Sequence, residues 1–215
     1  MAEHTQDELA AVGFVGSALA PFFLEDPRTG SAGEAYAAIS AMNAQEAAEQ
    51  WPFVESEEAL KDIKLMQTGL ADGGASGDPV TWEYRRLFIG PARKPCPPWG
   101  SVYMDHEMVV FGETTLELRS WMRQNHIRRE CDEKTPEDHI GLMLALMSFI
   151  AENRPELLDE FLQTYLFTWS THYLDELEEF SEQSFFTGLA RLTRATLEGI
   201  QKAFGIKVTY PKYYR

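Results

Sequence analysis

From Thr135 to Phe204 the apolar residues return at every third or fourth position, and this spacing constrains the fold more than any other feature of the chain. Ile140, Met143, Leu144, Met147 and Ile150 form one stripe, and Leu158, Phe161, Leu162 and Tyr165 form a second. Tyr173, Leu177 and Phe180 come next, then Phe186, Leu189, Thr193, Leu197, Ile200 and Phe204. Each set falls on one side of a helix with 3.6 residues per turn, so each helix has a face to bury. The first half repeats the pattern. Leu9, Val12, Gly16, Leu19 and Phe23 predict a helix ended by Pro27 and Gly30, and the alanine-rich stretch 31–50 favours helix by propensity alone. Ser56 opens another helix with Leu60, Ile63 and Met66 on one face, and TWEYRRLF (81–88) adds about two turns. Only KVTY (207–210) reads as a candidate strand. The expectation is an all-α, single-domain multi-helix bundle over 1–215, with about eight to ten helices.

Local signals set the expected boundaries. Thr114-x-x-Glu117 reads as a capping box for a helix running through His126. Thr135-Pro136-Glu137-Asp138 reads as a second start, with a cap residue, a proline at the first helical position and two acids at the positive helix end. DGGASGDP (72–79) is a flexible break, and residues 90–101 are a proline-rich loop. The basic stretch KVTYPKYYR (207–215) reads as a mobile tail.

Charge narrows the partners. With 19 basic and 34 acidic side chains the net charge is −15, which repels phosphate backbones and weighs against nucleic acid. A basic partner would be attracted instead. Cys96 and Cys131 lie far apart and form no CxxC or zinc spacing, so no metal site is expected. No positive n-region precedes an apolar stretch at the N-terminus, and the longest apolar run, IGLMLALMSFIA (140–151), is too short to cross a bilayer. These features predict a reduced, cytoplasmic chain without stable membrane insertion.

Catalytic motifs are missing. The sequence contains no HExxH, GxSxG, phosphate loop or Glu-x-x-His pair. Asp138-His139 is the pair most like an acid–base couple, but neighbours on a helix point about 100° apart. The expectation is no catalytic residue and no enzyme.

Binding is the better reading of GPARKPCPPWGSVYMD (90–105). Four prolines and two glycines exclude a helix interior, while Trp99 and Tyr103 stand on a stiff frame that loses little entropy when it meets a partner. Tyr84 and Phe88 lie four apart just before it, and Arg85, Arg86, Arg93 and Lys94 make a basic island.

YRRLFIGP, PPWGSVYMDHE, VVFGETTLELRSWMR and TPEDHIGLMLALMSFIAEN together resemble the TorD/DmsD/NarJ family of redox-enzyme maturation chaperones, over about residues 51–205. Within it the chain is most similar to the dimethyl sulfoxide reductase branch. The resemblance implies a cytoplasmic, non-catalytic chaperone. It would bind the twin-arginine leader of a molybdenum-cofactor oxidoreductase and delay export until the cofactor is inserted. Tyr84, Phe88, Pro97, Pro98, Trp99, Ser101, Tyr103, Asp138 and His139 match the positions the family uses for leader binding. Asp138, or the run Asp175, Glu176, Glu178, Glu179 and Glu182, would take the leader arginines through charge-assisted bonds. The chain departs from the family pattern at Ala92, Tyr165 and Thr168, which bears on leader preference and, for the last two, on the groove wall. The resemblance also implies the translocase as a further partner, a monomer or swapped dimer, and no cofactor, with guanine nucleotide as a secondary candidate. An assembly role of the NarJ kind on a membrane-bound molybdoenzyme, and a nucleotide-binding factor using Asp138 and His139, are the alternatives.

Overall fold

The computed structural model describes residues 4–28, 32–71, 78–130 and 135–215. Helix dominates, and no strand occurs among these residues. The α-helices are α1 (Gln6–Leu19), α2 (Pro21–Leu24), α3 (Ala32–Ala41), α4 (Ala44–Gln50), α5 (Ser56–Ala71), α6 (Asp78–Tyr84), α7 (Gly100–Met104), α8 (Glu113–Gln124), α9 (Ile140–Asn153), α10 (Leu158–Phe161), α11 (Ser170–Phe180) and α12 (Ser184–Phe204). Nine of them have seven residues or more, in keeping with the count expected from periodicity.

The apolar stripes point where the spacing predicted. In α12 Phe185, Phe186, Leu189, Leu192, Leu197 and Ile200 are buried, facing α5 and α11. α9 buries Ile140, Met143, Leu144, Met147 and Ile150, and α1 lies along it. That approach is close: a Cβ at Gly16 would stand 2.6 Å from the Leu144 carbonyl oxygen, and the Ser148 hydroxyl donates to the Gly13 carbonyl at 2.8 Å. Residues Gln6–Leu24 are long and apolar enough for a membrane span, yet here Val12, Val15, Leu19, Phe22 and Phe23 are spent on the core. The accessible surface is 10,884 Å², near the roughly 10,000 Å² expected of a folded chain of this mass.

Several boundaries differ from expectation. Ala20-Pro21 breaks the first helix, and 32–50 is two helices joined through Asn43, whose side chain caps α4, while residue 31 lies outside the described residues. The stretch 81–88 is not two α-turns. α6 starts at Asp78, inside the expected linker, and gives way to a π-turn over Arg85–Ile89, while 72–77 lie outside the described residues. Thr114 forms no capping box. Its amide and hydroxyl both donate to the Asp105 carboxylate, at 3.3 and 3.2 Å to Oδ2, Gly112 is the N-cap, and α8 ends at Gln124. The second expected start is also displaced. α9 begins at Ile140, and its cap is His139, whose Nδ1 accepts the Gly141 amide at 3.2 Å. KVTY is no strand, and 207–215 is no free tail: it is docked on the helices.

Candidate functional site

Pro98-Trp99-Gly100 and Asp138-His139-Ile140 lie antiparallel and are stitched by two backbone bonds. The Gly100 amide donates to the Asp138 carbonyl at 3.1 Å, and the Ile140 amide to the Pro98 carbonyl at 2.9 Å. This junction explains the prolines. They hold one segment extended, where it can pair with the segment that leads into α9. Gly100 is required by contact, since a Cβ there would stand 2.8 Å from the Trp169 indole.

The carboxylate of Asp138 lies inside the junction, 3% exposed, and its Oδ2 accepts the Ser101 amide at 2.8 Å. It therefore serves the start of α7 rather than of α9. Oδ1 has no partner, and Ser101 Oγ and Thr115 Oγ1 are likewise buried without one. Burial pushes the Asp138 carboxyl above the usual carboxylate range, against the Ser101 amide and the nearby Ser101 and Thr115 hydroxyls, which favour the ionised form. His139 is enclosed, and burial, followed by the charges of Arg129 and Lys94, holds its pKa down at about 3. Its ring meets that of Trp99 edge to face, with centroids 5.5 Å apart. The neutral imidazole thus serves as a hydrogen-bond acceptor at the start of α9, while the Asp138 carboxyl serves the start of α7.

Two hollows flank the junction. A cavity of about 230 Å³ is lined by Asp138, Thr114, Glu117, Tyr165, Thr168 and Trp169, with Thr209 and Pro211 at its edge. Tyr165 and Thr168, two of the departures from the family pattern, thus share a wall with Asp138. On the other side, Pro97, Trp99, Val102, Met108 and Val110 line a groove of about 350 Å³ with Lys94 and Arg215. The Lys94 ammonium stands 5.4 Å from the Trp99 ring centroid. Met108, Val109, Val110 and Phe111 form an exposed apolar loop whose backbone is left-handed at Met108 (φ 51°) and Phe111 (φ 68°). Such angles are costly without glycine. The Phe111 ring is held under the Arg119 guanidinium at 4.8 Å.

The nine predicted residues divide into groups. Trp99, Ser101, Asp138 and His139 meet at the junction, with Pro97 and Pro98 beside them. Tyr103 is fully buried next door, stacked on Trp169 at 6.0 Å, and donates its hydroxyl to Glu176 at 3.1 Å. Tyr84 and Phe88 pack instead on Phe23 and Phe186, within the core. Pro97 and Trp99 alone among the nine are not buried. The acids expected to await a partner are largely committed. Asp175 and Glu178 pair with Arg194, Glu178 also with Arg191, Glu176 with Arg215 and Glu182 with Arg86. Of the basic island, Arg85 pairs with Asp26 and Arg86 with Glu83. Met108, Val110 and Arg215 were not foreseen as site residues; the run of exposed apolar residues before Gly112 was the available signal for the first two.

Burial pushes the Cys96 thiol up to about 12, so it stays protonated, and Cys131 lies outside the described residues. Among the described residues no three His, Cys, Asp or Glu side chains are grouped to hold a metal.

Residues 55–185 match the family model described as "nitrate reductase delta subunit". The chain belongs to that family, which groups the TorD, NarJ and DmsD proteins. It is 41% identical over 165 residues to a Haemophilus influenzae protein, a probable Tat proofreading chaperone DmsD, covering 76% of this chain and 81% of that one. Over 167 residues it is 39% identical to the Tat proofreading chaperones DmsD of Salmonella typhimurium and Salmonella paratyphi A, covering 77% of this chain and 78% of each. The junction, both hollows' principal walls and α9 all fall within the matched span.

Proposed function

We propose that this family member is a cytoplasmic Tat proofreading chaperone. It binds the twin-arginine leader of a molybdenum-cofactor oxidoreductase of the dimethyl sulfoxide reductase type and delays export until cofactor insertion and folding are complete. The observation that carries the reading is the half-buried Trp99, clamped by the junction and lining a groove in which Pro97, Val102, Met108 and Val110 are joined by Arg93, Lys94, Glu107 and Arg215. A leader presents a basic segment and then an apolar one. Trp99, Met108 and Val110 offer the apolar stretch a surface whose geometry is already set, which lowers the ordering cost of binding. Ser101, Asp138 and His139 act from beneath by fixing the Trp99 backbone. Tyr84, Phe88 and Tyr103 hold the helices that carry it. No residue is assigned a catalytic role, and no cofactor is required.

The test is calorimetric titration of the chain with a synthetic dimethyl sulfoxide reductase leader, beside a control carrying Lys-Lys for Arg-Arg. Saturable binding in the micromolar range or tighter is expected, with Trp99→Ala weakening it at least tenfold and guanosine triphosphate giving no saturable heat. Absence of binding to either peptide would sink the reading. The description of the family as a nitrate reductase subunit keeps an assembly role in view, and equal affinity for a leaderless client protein would favour it.

A further inference from the structure

Residues 206–215 form neither helix nor strand, yet they are held at several points. The Tyr213 ring stacks on His172 with centroids 4.4 Å apart and planes 5° from parallel, and its hydroxyl donates to the Thr168 carbonyl at 2.7 Å. The Tyr214 amide donates to the Tyr103 carbonyl at 2.9 Å. The Arg215 guanidinium donates through Nε to Glu176 Oε2 at 3.1 Å and through a terminal nitrogen to the Pro95 carbonyl. Both charged side chains of that pair are about four-fifths buried, at 18% exposure each. Glu176 also accepts the Tyr103 hydroxyl at 3.1 Å.

The chemistry of the segment sets it apart. KVTYPKYYR carries Lys207, Lys212 and Arg215 and no acid, in a chain of net charge −15. It reaches both hollows of the candidate site. Thr209 and Pro211 edge the cavity under Asp138, and Arg215 lines the groove of Trp99. A basic, partly apolar peptide is thus already seated where the proposed leader would lie, with its arginine paired to Glu176, the least exposed of the paired carboxylates in the acidic run. Its backbone is tied mainly by side-chain and end contacts, so it can lift without unravelling a helix.

We infer that segment 206–215 is an internal competitor for the leader, and that Glu176 is the carboxylate that a leader arginine takes over when Arg215 leaves it. The inference rests on the leader-binding reading above and adds to it an arginine receptor and a gate. A closed segment reduces the binding-competent fraction and so weakens apparent affinity in proportion.

The experiment uses the full chain and the same synthetic leader. Y213A/R215A removes the stack and the ion pair, and is expected to bind the leader about tenfold more tightly. Amide hydrogen exchange of the unsubstituted chain should rise across 207–215 when leader saturates it. The charge swap E176R/R215E keeps an internal pair and a closed segment but presents the wrong charge to a leader arginine. It is expected to melt like the parent chain, to bind leader at least tenfold more weakly, and to lose the preference for Arg-Arg over Lys-Lys. Equal or weaker binding by Y213A/R215A in a form that still melts cooperatively, or increased protection of 207–215 in the complex, overturns the competitor. Unchanged leader affinity in the swap overturns Glu176 as receptor. Either result leaves the leader chaperone standing, whereas failure of every form, parent included, to bind leader overturns both.

Discussion

His139 ties the geometry of the junction to the acid stability of the whole chain. Its pKa, about 3 in the fold, compares with a usual value near 6.5. The neutral ring accepts the Gly141 amide at Nδ1, a bond the protonated ring cannot accept. Below about pH 6.5 the unfolded chain binds a proton at this ring, while the folded chain does so only near pH 3. The folded state therefore loses stability as pH falls through that window. A gap of roughly 3.5 pH units sets a ceiling of about 5 kcal/mol, of which about 2 kcal/mol is lost by pH 5. Domains are commonly stable by about 5–15 kcal/mol, so the loss is large. Two buried carboxyls act in the opposite sense. Burial lifts Asp62 to about 6 and raises Asp138, and both favour the fold as acid protonates them. The histidine must therefore be isolated by substitution. His139→Asn keeps a side-chain oxygen at the α9 cap and removes the titration. Urea denaturation of both forms between pH 7.5 and 4.5 should show the parent losing about 2 kcal/mol more than the variant by pH 5. Parallel profiles would refute the enclosure of a neutral ring at this position.

Two further substitutions test the packing. Asp138→Ala leaves the buried Ser101 amide without its acceptor and should cost about 2–3 kcal/mol, seen as a fall of roughly 4–12 °C in Tm, whereas Asp138→Asn keeps an oxygen there and should stay within about 1 kcal/mol of the parent. An unchanged melting temperature in the alanine form would mean that Asp138 does not hold the junction. Gly16→Ala places a Cβ 2.6 Å from the Leu144 carbonyl oxygen; the overpacking cost of about 1–3 kcal/mol should outweigh the gain of about 1 kcal/mol in helix propensity, and a higher urea midpoint would contradict the close approach of α1 to α9.

What could be read from the sequence depended on how far each signal reaches along the chain. The stripe from Ile140 to Ile150 predicts its own buried face because a helix brings those residues together without help from elsewhere. The caps did not behave in this way. Thr114 and Glu117 have the spacing of a capping box, yet Asp105, nine residues earlier, takes the Thr114 amide. Asp138 has the position of a first-turn acid, yet it accepts from Ser101, 37 residues earlier. In both cases a partner from another loop displaced the local one, and no local pattern records that choice. The site followed the same division. The sequence pattern points to Trp99, Ser101, Asp138 and His139, and the antiparallel bridge places them together. The acids of α11 look free for a partner in the sequence, because Arg191, Arg194 and Arg215 lie far enough along the chain that their pairing with Glu178, Asp175 and Glu176 has no local signature. A chain with so large an acidic excess attracts any basic peptide at long range, but at contact most of the carboxylates of α11 are already neutralised. On the proposed function, discrimination between arginine and lysine would come from a largely covered carboxylate with fixed neighbours, where a planar guanidinium can be held and an ammonium cannot fill the same bonds. Glu176 accepts the Tyr103 hydroxyl and the guanidinium of Arg215, which also reaches the Pro95 carbonyl, and so has that setting.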